Sequence, residues 1–154
     1  MAYKLIIYDF DGVMTDNRAF VFQDGSEAVI VNRSDGIGVH KIRELGIEQL
    51  IVSAEANAVV SARARKLRIE AMQNVADKGA TVKRLLADRQ LTQNEAIYVG
   101  NDLNDLEAMA AVGMPVCPAD AYPEVRRAAK RVLTARGGEG VVRELYTLLR
   151  DGLI

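Results

Sequence analysis

Residues 4–16, KLIIYDFDGVMTD, decide how the rest of the chain is read. Leu5, Ile6, Ile7 and Tyr8 form a short apolar run without charge, and polar residues end it. Such a run reads as a strand buried on both faces. Asp9 and Asp11 follow at once, then Gly12. In an open parallel sheet, ligands bind at the carboxyl ends of the strands. Two acids held there repel one another unless a cation or a shared proton relieves them. A hard cation such as Mg²⁺, which takes oxygen ligands, would supply that charge. A lone DxD is more often a strand-ending turn with solvated acids, and it is the remainder of the chain that shifts the balance.

Beyond this stretch, Ala19–Phe22 and Ala28–Val31 are apolar and β-prone, with Asp24-Gly25 between them, which predicts a hairpin flap over about 17–31. Ser34 or Asp35 is expected to cap a helix to about Leu45, stopped by Gly46. Gln49–Val52 reads as a buried strand ending at Ser53, and Asn57 as the cap of a basic helix to about Leu67. A short strand lies within Ile69–Val75, and Lys78–Arg89 has helical periodicity. Ala96–Val99 is a strong strand closed by Gly100. A helix over Leu103–Val112 and a strand over Met114–Val116 follow. Pro123 opens a helix to Ala129, Arg131–Leu133 is a last short strand, and the Gly137–Gly140 loop precedes a final helix, Val141–Leu149. Strands alternating with helices predict an α/β, Rossmann-like three-layer fold, with a mainly parallel central sheet and helices on both faces. No insertion is large enough for a separate cap, so residues 1–154 are expected to form one domain.

Composition narrows the function classes. The chain has 154 residues, 49% apolar and 27% charged, as expected of a soluble globular domain. A net charge of −1, with no basic patch interleaved with aromatics, predicts neither nucleic acid nor membrane as a partner. Cys117 is the only cysteine and His40 the only histidine, which excludes an intramolecular disulfide and leaves a structural zinc site unsupported. No signal peptide or membrane-spanning run is visible, so a cytoplasmic location is the default expectation.

The predicted topology brings four loops to one edge of the sheet. They carry Asp9 and Asp11, then Ser53, then Lys78, then Asn101, Asp102 and Asp105. Phosphoryl transfer to a carboxylate needs such a set: a carboxylate to attack, a second group to move protons, a cation, and donors for the equatorial oxygens. The ordered series DFDGVMTD, IVSAE, DK and GNDLND resembles the haloacid dehalogenase superfamily of aspartate-dependent phosphatases over almost the whole chain. More narrowly, DGVMTD, SDGIG, ADAYPEV and RGGEGVVRE resemble its capless sugar-phosphate phosphatases. That branch includes 3-deoxy-octulosonate 8-phosphate phosphatases, nonulosonate 9-phosphate phosphatases and domains associated with sialic-acid cytidylyltransferases.

The resemblance implies roles. Asp9 would be the nucleophile and Asp11 the general acid and base. The Asp9 side chain and the Asp11 carbonyl would also bind Mg²⁺. Ser53 and the backbone after it, at Ala54, would hold the phosphoryl group. Lys78 would neutralise it and orient Asp9, and Gly12 would leave its approach uncrowded. Two departures stand out. Asn101 occupies the usual position of a metal carboxylate, with Asp102 beside it as the alternative ligand; Ala54 stands where glycine is common. Glu55 lies near the leaving group and implies a nonulosonate rather than an octulosonate. Arg63 and Lys66 match positions that reach a substrate carboxylate, and Arg33 a substrate-facing position. In this branch a homotetramer, through its flaps and neighbouring subunits, encloses the sugar. Two other classes compete: a catalytically weak or inactive oligomerisation domain associated with a cytidylyltransferase, and a phosphorylatable receiver domain. The DxD spacing and the place of Ser53 count against the receiver.

Overall fold

The apolar run at 5–8 lies at the centre of the sheet. The computed structural model describes residues 3–154. Strand β1 (Leu5–Tyr8) pairs in parallel with β4 (Glu48–Val52) on one side and with β6 (Ala96–Val99) on the other. Outside these lie β5 (Glu70–Met72), then β7 (Met114–Cys117) and β8 (Arg131–Val132), giving the order β5-β4-β1-β6-β7-β8, with every pairing parallel. All four side chains of β1 are fully buried, as a strand covered on both faces requires.

The period of two along the strands sorts the core into two layers. Ile6 and Tyr8 face α1 (Arg33–Glu44), α2 (Ala58–Leu67) and α6 (Val141–Arg150). Leu5 and Ile7 face α3 (Lys78–Asp88), α4 (Leu106–Ala110) and α5 (Pro123–Ala128). The chain turns from one side of β1 to the other between β5 and β6, so the crevice between β1 and β6 is the topological switch point. Beyond it stands a two-stranded flap, β2 (Phe20–Val21) and β3 (Glu27–Ala28). No separate cap is built on this sheet, and among the described residues no helix is long and apolar enough to cross a membrane.

Several boundaries differ from the sequence reading. The second arm of the flap is paired only at Glu27–Ala28, and Val31 instead bridges Thr15 at the flap's root. The segment expected as one helix from Leu103 begins with a 3₁₀ turn, Leu103–Asp105, because Asp105 folds its side chain back onto the turn's own N–H groups. Asn32, not Ser34 or Asp35, caps α1: its Oδ1 accepts from the Ser34 N–H at 2.9 Å and from the Ser34 hydroxyl at 2.6 Å.

Asp35 caps a different helix. Gly140 starts α6 with φ +96° and has no side chain to offer, and the buried Asp35 Oδ1 accepts from the Val142 and Arg143 N–H groups at 3.1 and 3.2 Å. This docks α6 on α1. The loop before α6 is pressed onto the turn that follows β1. A Cβ at Gly137 would overlap the Gly12 carbonyl, and the Gly138 N–H donates to the Val13 carbonyl at 3.1 Å.

Burial pushes the Asp35 carboxyl up to about 6, against the two N–H donors and Arg63, and among the described residues its Oδ2 has no partner. A folded-state pKa above the unfolded one means that the folded chain holds this proton more tightly. Asp35 therefore favours folding at low pH and loses that contribution as pH rises through about 6. Asp35→Asn keeps an oxygen for Val142 and Arg143 without the charge. Its stability relative to the parent is expected to improve between about pH 4.5 and pH 7.5, by roughly 3 kcal/mol at most. Thermal unfolding of both proteins across that range checks this, and parallel pH profiles would refute it.

Candidate active site

Asp9 is held from two sides at the end of β1. Its Oδ1 accepts from the Phe10 N–H at 2.7 Å and lies 2.9 Å from Lys78 Nζ. Lys78, the first residue of α3, is buried and placed by the Asp77 cap, whose side chain accepts from the Ala80 N–H. The same ammonium lies 2.9 Å from Asp105 Oδ1. Asp105 has no exposure at all. It also accepts from the Tyr98 hydroxyl at 2.7 Å and from the Asn101 N–H at 2.8 Å. Asp105 thus fixes both Lys78 and the loop that carries Asn101. The sequence shows it as one more acid at a helix start. Only the fold reveals that it is the buried counter-charge.

The other oxygen of Asp9 faces the β6 loop. One end of the Asn101 amide lies 3.0 Å from Asp9 Oδ2 and 2.9 Å from the Asp11 carbonyl oxygen. With its NH₂ group there, Asn101 donates to both. With its oxygen there, that oxygen stands one octahedral edge from each of the other two, since Mg–O bonds of about 2.1 Å at right angles place oxygens about 2.9 Å from one another. The residues present therefore fit a small hard cation. The set comprises a carboxylate, a carbonyl and an amide, and among the described residues no group of three acidic, thiol or imidazole side chains could hold a metal. Asp102 borders the cleft, but its carboxylate accepts from the Leu103 N–H at 2.7 Å and caps the turn. Of the two adjacent candidates, Asn101 is the one that joins Asp9 and Asp11.

Gly12 is required for a reason the sequence did not show. Its φ is +84°, and a Cβ would overlap the Asn101 amide, so glycine admits Asn101 to the site as well as leaving room above the sheet. Thr15, buried beneath, accepts from the Gly12 and Asn17 N–H groups at 3.2 and 3.1 Å.

Opposite Asp9, Ser53 ends β4, with its N–H on the Met72 carbonyl and its Oγ accepting from the Glu55 N–H at 3.1 Å. Ala54 is not among the residues of positive φ, so its methyl group carries no backbone strain. A cleft of about 180 Å³ is lined by Asp9, Asp11, Ser53, Ala54, Glu55, Lys78, Asn101 and Asp102. Arg33, Arg63 and Lys66 are not part of it. They line a separate groove of about 780 Å³ between α1 and α2, with His40, Arg43 and Arg68.

The charges suit proton and phosphoryl transfer. Burial first, and then the Asp105 charge, push the Asp9 carboxyl up to about 8 against the pull of Lys78. Asp11 is raised by burial, then by Glu55 and Glu27, and lowered by Lys78. Burial opposes the charge on Lys78, but Asp9 and Asp105 outweigh it and hold the ammonium above the ordinary lysine value.

Comparison with known proteins agrees with this geometry. Residues 28–145 match the family model described as haloacid dehalogenase-like hydrolase. The chain belongs to that family. It is 34% identical over 147 residues to the 3-deoxy-D-manno-octulosonate 8-phosphate phosphatase KdsC of Yersinia pestis, covering 95% of this chain and 79% of that protein. Among solved structures, a putative HAD family hydrolase from Streptomyces avermitilis superposes with TM-score 0.91 at 41% identity, covering 94% of this chain and 83% of the other. The octulosonate 8-phosphate phosphatase of Moraxella catarrhalis, solved with magnesium, phosphate and KDO, superposes with TM-score 0.92 at 27% identity, covering 97% and 86%. This haloacid dehalogenase-type hydrolase is thus a phosphomonoesterase similar to octulosonate 8-phosphate phosphatases.

Asn101→Asp would place a second carboxylate among the three converging oxygens. Metal-free, that variant is expected to unfold at a lower temperature than the parent, because it lacks an NH₂ group to turn toward Asp9. Mg²⁺ should raise its unfolding temperature more than the parent's, since added ligand charge strengthens binding. Asp102→Asn should change the Mg²⁺ response little. Thermal titration with Mg²⁺ checks all three, and equal responses would remove Asn101 from the metal site.

Proposed function

We propose that the chain is a Mg²⁺-dependent phosphatase of phosphorylated 2-keto-3-deoxy sugar acids. On this reading a nonulosonate 9-phosphate is favoured, an octulosonate 8-phosphate comes next, and the reaction passes through an aspartyl-phosphate. The observation that carries it is Asp9, held by Lys78 at one oxygen and facing Asn101 and the Asp11 carbonyl at the other, with Asp11 on the same cleft.

Asp9 attacks phosphorus while the ester bond breaks, and Asp11 gives its proton to the departing sugar oxygen. Asp11 then takes a proton from water as that water attacks the aspartyl-phosphate, which releases phosphate and restores Asp9. A raised Asp11 pKa suits a group that must hold a proton before it gives one. Lys78 and the Ser53 hydroxyl border the cleft where they can meet the equatorial oxygens. Bound Mg²⁺ would draw Asp9 to its ionised form and screen it from the phosphate.

Glu55 on the leaving-group side supports a hydroxyl-rich tail, as in the nine-carbon acids. Such a substrate also has a carboxylate, and Arg33, Arg63 and Lys66 lie outside the cleft of their own chain. A neighbouring subunit would have to bring them, and the flap offers a surface for assembly: Phe20, Val21 and Phe22 are 62%, 72% and 54% exposed. The reading therefore includes a homotetramer. It also includes a cytoplasmic site of action, which the buried, unpaired Cys117 suits. One observation favours a second reading, a weak or inactive oligomerisation domain beside a sialic-acid cytidylyltransferase: Asn101 brings no charge to the cation. The intact Asp9, Lys78 and Asp105 favour activity.

Purified protein with Mg²⁺ is expected to hydrolyse both ulosonate phosphates, with the higher kcat/KM for the nine-carbon ester. Asp9→Asn should lower turnover at least about 10³-fold while keeping the parent's circular dichroism. Undiminished turnover in that variant would overturn the mechanism, and a parent inactive on every ester would leave the oligomerisation reading.

A further inference from the structure

The cleft around Asp9 adjoins a second pocket on the side of Asp11. Asp11 borders the cleft around Asp9, and it also borders an adjoining pocket of about 190 Å³. A group that protonates the leaving oxygen must touch it, so the chain of carbons bearing the phosphoester runs into this pocket. Its floor is the start of α2, and its wall is the flap.

The pocket has a definite charge. Glu55 comes from the loop after β4 and Glu27 from β3. Arg18 is the only basic residue lining it, and Asp16 already holds Arg18 through contacts of 2.9 and 3.0 Å. Glu27 is not a loose surface acid. Asn57 Nδ2 donates to Glu27 Oε2 at 2.7 Å, while Asn57 Oδ1 caps α2 through the Val59 N–H at 3.1 Å. One amide thus fixes the start of α2 and ties the flap to it. Gln73, beyond β5, holds the Asn57 carbonyl at 2.7 Å, so the latch rests on the body of the sheet. Among the described residues Glu27 Oε1 accepts no hydrogen bond, and it stays available to a ligand.

We propose that Glu27, latched to α2 by Asn57, is a specificity residue that works with Glu55: the two carboxylates accept from hydroxyls next to the phosphoester and turn anionic groups away. This rests on the phosphatase reading and deepens it, since it orients the substrate. The polyol end lies under the flap, and the carboxylate end lies outside, toward whatever basic surface meets the cleft.

Glu27→Gln keeps an oxygen for Asn57 and removes the charge; Glu27→Ala removes both. The parent and the two variants would be assayed with ulosonate phosphates, glycerol 3-phosphate and 3-phosphoglycerate. For the best-hydrolysed hydroxylated ester, Glu27→Gln is expected to lower kcat/KM about tenfold, chiefly through KM, the loss typical of a hydrogen bond to a charged acceptor. Turnover of 3-phosphoglycerate relative to that ester should rise by a similar factor. Were Glu27 only a latch, Glu27→Gln would behave as the parent, and Glu27→Ala would slow all esters alike; that result overturns the assignment. A parent that hydrolyses no ester in the panel overturns the phosphatase reading, and the assignment with it.

Discussion

Lys78 is the charge on which the site depends. It is 3% exposed and lies 2.9 Å from a carboxylate on either side, one after β1 and one after β6. A buried ammonium without partners would lose its proton or unfold its surroundings, and two buried carboxylates without a cation would not both stay ionised. Each group is tolerated because of the others. With its carboxyl raised to about 8, Asp9 keeps its proton near neutral pH, and only when it ionises do two negative charges face one positive, which a cation on the far side of Asp9 would offset. Replacing Lys78 alone would leave two carboxylates facing each other in a dry pocket. The residue therefore matters to the fold at the sheet's edge as well as to the cleft it lines.

A second constraint comes from the end of the chain. The turn from Asp9 to Asp16 needs something to hold it down, since it follows a short strand and leads into an exposed flap. Gly137 and Gly138 do this by lying directly against the Gly12 and Thr15 backbone, too close for any side chain. The α6 helix that follows is fixed to α1 by Asp35. An acid in the first turn of one helix thus holds, through another helix and a glycine loop, the turn that carries Asp9 and Asp11 into the cleft. Asp35 has an orphan oxygen and a raised pKa, so the docking stabilises the site at the expense of an unfavourable buried charge.

Most of the sheet could be read from the chain because its signals are local. The run Leu5–Tyr8 has one explanation, and Asp9, Asp11, Ser53 and Lys78 each follow a strand or open a helix. The identity of a cap is settled by geometry: Asn32, Ser34 and Asp35 are all good caps, and what decided among them was a distant helix start that needed Asp35. The role of Asp105 was hidden because only folding brings Lys78 and Tyr98 to it. Glu27 was hidden for a similar reason, since a charged residue at a hairpin edge usually faces water and its partner Asn57 is thirty residues away. Arg33, Arg63 and Lys66 do gather in one place, but that place is the groove between α1 and α2, because α2 runs away from the cleft at its N-terminus.

The sheet order has a consequence for how the molecule is made. Leu5 pairs with Glu48 on one side and with Ala96 on the other, so a strand made before both of its neighbours is the middle of the finished sheet. It has no partner on its second side until β6 has been synthesised, and parallel pairings at such separations form slowly. Through that interval this apolar strand, with its acidic turn, has one open edge. Asp105 follows β6 in the chain, so Lys78 cannot bridge it to Asp9 before that strand is made. A chain in which Asp9, Lys78 and Asp105 have come together has therefore also closed the centre of its sheet.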